Sequence, residues 1–161
     1  MIVYHGTTIS RAKEIIKKQA ISVTTKENRR NNSSNTGKVY VTSQFFQAID
    51  FSTRPEMGKK EYSIVVFEIE IDPYELKPDL DEEKWKSTLD PNGEKHCYVI
   101  NRDLSICSDV KRLYYKPFND YKAADKLMQD IQYGIVSVQD EDWTDLFKDN
   151  REESLKIFET I

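Results

Sequence analysis

The amino-acid sequence predicts an α+β fold, with strands concentrated in the middle of the chain and helices towards its end. The clearest strand runs from Tyr62 to Ile71, because apolar and polar residues alternate in its second half. Beyond Pro117 the apolar spacing becomes helical, and one face holds Ala123, Leu127, Met128 and Ile131. In a chain of 161 residues, this change indicates one domain over 1–116 and a helical extension over 117–161 packed on it.

The N-terminal residues predict a strand followed by a helix. Ile2 to Tyr4 is a β-branched and aromatic run that breaks at Gly6. Ser10 is placed to cap a helix that ends near Lys18. The segment from Lys26 to Gly37 has no apolar residue and therefore predicts a surface loop.

A second strand followed by a helix is predicted further along the chain. Val39 to Val41 predicts a strand, and Thr42 or Ser43 can cap the helix that follows it. The apolar stripe of this helix consists of Phe45, Phe46 and Ile49. After the acidic loop from Pro78 to Lys95, the sequence predicts strands or strand edges at Tyr98–Ile100, Leu104–Cys107 and Val110–Tyr115, and helices at Asp142–Phe147 and Glu152–Phe158.

Composition excludes several classes of protein. The chain has 24 Lys and Arg against 28 Asp and Glu, a formal net charge of −4, which argues against a broad nucleic-acid or anionic-membrane surface. The longest apolar run, Ile64 to Phe67, is too short to cross a bilayer, and no signal-peptide pattern is visible. Cys97 and Cys107 form neither a disulfide framework nor a metal-binding motif. We therefore expect a soluble cytoplasmic protein with no metal site.

The pentapeptide from Tyr4 to Thr8 is the first candidate for chemistry. His5 ends a strand just before a glycine turn, where a cleft can open. Gly6 allows a ligand to approach the backbone closely, so that its amide and carbonyl can hold a planar carboxamide. A turn histidine that bonds only to its own loop is the plainer alternative.

Two later segments strengthen the functional interpretation. Tyr40 lies in the predicted strand, and Phe51 follows it eleven residues later in the predicted helix. The strand from Ile64 then ends in Tyr74-Glu75-Leu76. In this order the chain resembles the ADP-ribosyltransferase fold, in the histidine–tyrosine–glutamate branch that includes the poly(ADP-ribose) polymerases and diphtheria toxin. The resemblance covers roughly residues 2–106 and implies a split antiparallel β-sheet core with short helices and a helical C-terminal tail.

The resemblance also implies roles for individual residues, with NAD as the co-substrate. His5 would hold the adenosine-side ribose, Gly6 would pair its backbone with the nicotinamide carboxamide, and Thr7 would line the same pocket. Tyr40 and Phe51 would sandwich the nicotinamide ring. The implied activity is mono-ADP-ribosyl transfer from NAD to a macromolecular acceptor, with a protein favoured over a nucleic acid.

Two positions depart from the family's pattern. Ala48 stands where the family often has a small hydroxyl residue, three residues before the second aromatic. The family's catalytic glutamate begins a strand whose counterpart here starts at His96, which puts Cys97 in the glutamate's place. Glu94 lies three residues earlier and is our candidate for the catalytic carboxylate. Because that carboxylate stabilises developing positive charge, its loss would reduce catalysis and still permit NAD binding.

These departures keep two alternatives open. The first is an inactive module of the same fold that binds NAD, ADP-ribose or a protein partner. The second transfers an RNA 2′-phosphate to NAD, as the related tRNA 2′-phosphotransferases do, but the predicted cleft motifs carry no arginine.

Other residues have plainer structural explanations. His96 cannot easily activate Cys97 as a nucleophile, because adjacent strand residues point to opposite faces. Glu68 with Glu70 is better explained as a solvated strand face than as an acid–base pair. The pair Arg29–Arg30 is better explained as part of a solvated loop than as a phosphate contact.

Overall fold

The computed structural model describes residues 1–26, 36–53, 62–80, 96–145 and 151–160. Its strands are β1 (Ile2–Gly6), β2 (Ala20–Ile21), β3 (Val39–Thr42), β4 (Tyr62–Glu70), β5 (Lys77–Pro78), β6 (Cys97–Ile100), β7 (Leu104–Ser105), β8 (Val110–Phe118) and β9 (Thr144–Asp145). Its helices are α1 (Ile9–Lys18), α2 (Phe45–Thr53), α3 (Tyr121–Gln132) and α4 (Arg151–Thr160).

These elements confirm the predicted α+β class. Six strands form an antiparallel sheet in the order β5-β6-β3-β1-β4-β8, and the two-residue β9 pairs with β8 at the edge. β2 and β7 form a small second sheet. Helices α1, α2 and α3 pack on the large sheet, and α4 contacts α1. In the described part of the chain, no helix is both long and apolar enough to span a membrane.

The two faces of the large sheet have separate hydrophobic cores. On one face, Val3 and Phe67 of the central strands pack with Ile16 of α1 and Phe158 of α4. On the other face, apolar side chains of β4, α2 and α3 pack together, among them Ile64, Val66, Ile49 and Leu127. Complete burial of each of these side chains contributes about 1.5–3 kcal/mol of transfer free energy, so both faces are fixed to their helices.

β1 lies at the centre of the sheet but is paired unequally on its two sides. It pairs with β4 along its whole length, from Ile2 opposite Glu70 to Gly6 opposite Val66. Between the described residues of β1 and β3, pairing is limited to Tyr4 opposite Thr42. The two strands therefore separate before β1 ends.

The prediction that Ser10 caps the first helix is wrong. α1 begins at Ile9, and Thr8 is its N-cap, with an extended backbone and a hydroxyl that accepts a hydrogen bond from the Arg11 amide at 3.4 Å. The side chain of Ser10 contacts the Thr8 hydroxyl at 3.1 Å instead. Thr8 directly precedes the first helical residue, and its extended backbone is the conformation that an N-cap requires.

The C-terminal part of the chain shares the same sheet. β8 runs through position 116, where the sequence suggested a division, and reaches Phe118. Asp120 then caps α3, and Ala124 and Leu127 are its buried residues. Ala123 is exposed, so its predicted place on the buried face is wrong by one residue. The apolar spacing gives the same stripe with either alanine, and only the packing against α2 decides between them.

The helix predicted over Asp142–Phe147 is wrong where the structure describes it. Thr144 and Asp145 form β9 and pair with Tyr115 and Tyr114 of β8. The edge of β8 presents unpaired backbone groups, which a passing extended segment can satisfy. The helix predicted over Glu152–Phe158 is confirmed within α4.

Candidate functional site

The gap between β1 and β3 is formed by the backbone of Gly6 and the strand opposite it. The Thr7 amide donates to the Val65 carbonyl at 3.1 Å, which makes Thr7 and Val65 a hydrogen-bonded pair. Because hydrogen-bonded and non-hydrogen-bonded pairs alternate in antiparallel sheets, Gly6 and Val66 form a non-hydrogen-bonded pair. The amide and carbonyl of Gly6 therefore face away from β4, towards β3, beyond the point where the two strands pair.

His5 bridges this gap with its side chain. Its Nδ1 lies 2.8 Å from the carbonyl oxygen of Tyr40. A carbonyl oxygen only accepts, so Nδ1 carries the proton, and the neutral ring presents Nε2 as an acceptor. Burial lowers the pKa of His5 below its usual 6.5, the bond to Tyr40 opposes this effect, and the nearby charge of Arg11 adds to it. His5 is therefore neutral near pH 7 and offers a hydroxyl-binding acceptor beside the gap.

Gly6 is fixed in place by helix α2. A Cβ atom at Gly6 would lie 1.7 Å from the carbonyl oxygen of Ala48 and 2.6 Å from its carbonyl carbon. No side chain fits between the two backbones, so glycine is required here by packing. This contact closes one side of Gly6 and holds the next turn of α2 beside the end of β1.

Thr7 continues from Gly6 into the interior. Its residue surface is 6% exposed, and its amide is used in the bond to Val65. The Thr7 hydroxyl has no hydrogen-bond partner among the residues that the structure describes. Buried hydroxyl groups are normally bonded, so this hydroxyl is a group that a bound molecule can satisfy.

The two aromatic residues lie on the same side of the sheet. Val39 and Val41 belong to the core beneath α1, so Tyr40 between them points to the face that α2 covers. Phe51 lies in α2, one helical turn after the Ala48 contact with Gly6. Both aromatic side chains are half-buried. The structure therefore places the main chains of Gly6 and Tyr40 on the two sides of one gap, with Phe51 on the adjoining helix.

The side chains of His5 and Thr7 lie on the other face of the sheet from Tyr40. Their cross-strand neighbours, Phe67 and Val65, belong to the core beneath α1. Only the hydrogen bond from His5 to the Tyr40 carbonyl connects His5 to the gap.

The third motif, the strand that the resemblance implies should begin with the catalytic glutamate, has a thiol at its first position. Cys97 is the first residue of β6, is 4% exposed and pairs with Thr42 of β3. Its Sγ lies 3.7 Å from Oε1 of Gln47, and the Thr42 hydroxyl donates to the same oxygen at 2.5 Å. Glu94, the candidate for the catalytic carboxylate, lies outside the described residues.

Gln47 was missed by the sequence reasoning. It is a polar residue on the side of α2 away from the stripe of Phe45 and Ile49, and it lies one turn before Phe51 on that side of the helix. A polar residue on that side of a helix is ordinary, so the sequence gives no signal for it. Its side-chain oxygen accepts hydrogen bonds from Thr42 of β3 and Cys97 of β6, which holds α2 against both strands.

His96 and Cys97 have different partners, as the opposite-face argument predicts. Nδ1 of His96 lies 3.4 Å from the Ser43 hydroxyl and 3.5 Å from Nε2 of the Gln44 side chain. The Cys97 thiol instead points to Gln47 on α2.

Glu68 and Glu70 are used in separate contacts. Glu68 accepts a hydrogen bond from the Tyr114 hydroxyl at 2.8 Å, and Glu70 pairs with Lys111 at 2.9 Å. Arg29–Arg30 lie outside the described residues. Within the described ranges, no group of three or more His, Cys, Asp or Glu side chains is arranged to hold a metal ion.

Comparison with known proteins gives no relative. No protein-family model matches the chain, and neither curated protein sequences nor solved structures show a significant match.

Proposed function

We propose that this protein is an NAD-dependent mono-ADP-ribosyltransferase whose NAD site is the gap between β1 and β3. One observation carries the proposal. The segments that resemble the family's motifs are far apart in the sequence but lie on neighbouring strands, because β1 pairs with β3 on one side and with β4 on the other. β6, where Cys97 stands in the glutamate's place, pairs with β3. The backbone of Gly6 faces the gap, and the side chain of His5 spans it.

The site has the groups that a nicotinamide nucleotide needs. The amide and carbonyl of Gly6 match the carbonyl and amide of a carboxamide, and Nε2 of His5 can accept from a ribose hydroxyl. Tyr40 and Phe51 offer two aromatic faces for a flat ring. Stacking on each face contributes about 1 kcal/mol beyond the burial of area. Together these contacts would orient the bond between nicotinamide and ribose.

The reaction would break that bond and form another at the same carbon. The electron pair of the ribose–nitrogen bond leaves with nicotinamide, which loses its positive charge. A nucleophilic oxygen or nitrogen of the acceptor then bonds to the ribose carbon and gives its proton to water. The oxocarbenium-like intermediate state resembles that of glycoside cleavage and is stabilised by a nearby negative charge. With a net charge of −4, the protein suits a protein acceptor better than a nucleic acid.

One observation favours a second candidate, a non-catalytic module of the same fold that binds NAD, ADP-ribose or a protein partner. Cys97 occupies the position of the family's glutamate, and its thiol is bound to Gln47. A thiol in that place binds no ribose hydroxyl as strongly as a carboxylate does. Nicotinamide release by the wild-type protein would exclude this candidate.

The proposed transferase activity is tested by comparing nicotinamide release from NAD in the wild-type protein and three variants. His5→Ala and Tyr40→Ala should each abolish release, because they remove a ribose contact and a stacking face. Tyr74→Ala is the matched control, because Tyr74 is a tyrosine with 95% of its surface exposed. Wild-type activity in folded His5→Ala would overturn the assignment of the site.

A further inference from the structure

Asp79 lies beside the thiol that replaces the family's glutamate. It follows β5, and its amide donates to the carbonyl of Cys97 at 3.1 Å. This bond continues the ladder in which Lys77 pairs with Val99 and Pro78 pairs with Tyr98. Asp79 is therefore the cross-strand neighbour of Cys97, and cross-strand neighbours share one face of a sheet.

That face is the one that α2 covers, on which Tyr40 also lies. Cys97 also pairs with Thr42 of β3, and both side chains contact Gln47 of α2. Tyr40 lies two residues before Thr42 and points to the same face. The carboxylate of Asp79 is thus placed by register at the end of the site where the thiol stands.

Asp79 is also set apart by its burial. It is 5% exposed, and within the described ranges it is the one carboxylate residue classed as buried. Carboxylates are seldom buried without a specific role, because removing the charge from water is unfavourable. Buried ionisable groups are concentrated at functional sites.

We propose that Asp79 supplies the negative charge that the third motif lacks at Cys97. The inference rests on the proposed transferase function and names a further residue for it. As the bond between ribose and nicotinamide breaks, the electron pair of that bond leaves with nicotinamide, and positive charge develops on the ribose. The Asp79 carboxylate stabilises that charge across the position of Cys97, and it neither gains nor loses a covalent bond. The thiol leaves room for this approach because it is smaller than a glutamate side chain.

The test compares Asp79→Asn with wild type in two measurements, NAD binding by titration and the rate of nicotinamide release. We expect NAD affinity within about threefold of wild type and a kcat lower by about 100-fold, as when one charge-stabilising group is removed. Glu70→Gln is the matched control, because Glu70 is an exposed carboxylate on the same sheet and should leave both values unchanged. The double variant Asp79→Asn/Cys97→Asp returns a carboxylate to the site and should recover much of the lost kcat.

The outcomes separate the two proposals. An inactive wild-type protein contradicts the transferase function itself. An active wild-type protein with unchanged kcat in Asp79→Asn contradicts only the role of Asp79. If Asp79→Asn fails to fold, Asp79→Glu decides instead. A folded Asp79→Glu protein with an altered kcat and normal NAD affinity supports the role, and one with unaltered kcat and pH profile overturns it.

Discussion

The backbone of Gly6 in β1 lies directly against the carbonyl group of Ala48 in α2. A Cβ atom at Gly6 would come within 1.7 Å of the Ala48 oxygen, far inside van der Waals contact. This relationship links the strand that carries the histidine to the helix that carries Phe51. The contact is made by the main chain of residue 48, so it does not depend on the Ala48 side chain.

We expect Gly6→Ala to destabilise the protein by about 3 kcal/mol or more, because the overlap forces α2 away from the sheet. Urea unfolding measures this change. Gly134→Ala is the control, because nothing lies within 4 Å of its Cβ position and only the strain of its φ of +69° is added. That strain amounts to about 1–2 kcal/mol. Equal losses in the two variants would contradict the packing described for Gly6.

The stability of the protein should fall as the pH drops below the usual pKa of histidine. Burial lowers the pKa of His5 from 6.5 in the folded state, so the unfolded chain binds more protons at pH values between the folded and unfolded pKa. In that window the free energy of unfolding rises with pH by at most about 1.4 kcal/mol per pH unit, and above the window the contribution is complete. Urea unfolding of wild type and His5→Asn between about pH 5 and about pH 7.5 tests this, because that range of pH includes the ordinary pKa of histidine. An identical slope in both proteins would show that His5 is not buried in its neutral form.

The pair Glu68 and Tyr114 should be visible in the titration of the tyrosines. Burial, followed by the hydrogen bond and charge of Glu68, raises the pKa of Tyr114 to about 12. In Glu68→Gln the pKa of Tyr114 should move down towards 10.0 without reaching it, because burial, the largest cause, remains. Phenolate absorbance measures the change, and Tyr114→Phe identifies the transition. A Tyr114 transition that is the same with and without Glu68 would contradict the hydrogen bond.

The ring of Tyr40, and not its hydroxyl, should carry the interaction with nicotinamide. Tyr40→Phe should therefore release nicotinamide with a KM for NAD close to wild type, whereas Tyr40→Ala should release none. Steady-state nicotinamide release measures both. A Phe variant as impaired as the Ala variant would assign the role to the hydroxyl and contradict stacking.

The sequence predicts the strands and helices well where periodicity is local. The run from Tyr62 to Ile71 corresponds to β4, and the stripe with Phe45 and Ile49 corresponds to α2. Periodicity does not reveal β9, because Thr144 and Asp145 become a strand only by pairing with the edge of β8. Long-range pairing of this kind leaves no local pattern in the sequence.

The sequence predicts some residues of the candidate site and not others. His5 and Tyr40 are marked by short motifs, and the structure brings them within one hydrogen bond of each other. Gln47 and Asp79 belong to no motif, because their positions depend on which strands and helices meet. The register between β5 and β6, which sets Asp79 beside Cys97, is fixed by tertiary folding and is visible only in the structure.

The central claim is that the gap between β1 and β3 cleaves NAD and transfers its ADP-ribose. The most direct measurement incubates the wild-type protein and His5→Ala with NAD labelled separately in its nicotinamide and its adenylate, in the presence of a cell lysate. We expect nicotinamide release and adenylate label on protein with the wild type, and neither with His5→Ala. A folded wild-type protein that releases no nicotinamide, or a His5→Ala protein that releases as much as wild type, would contradict it.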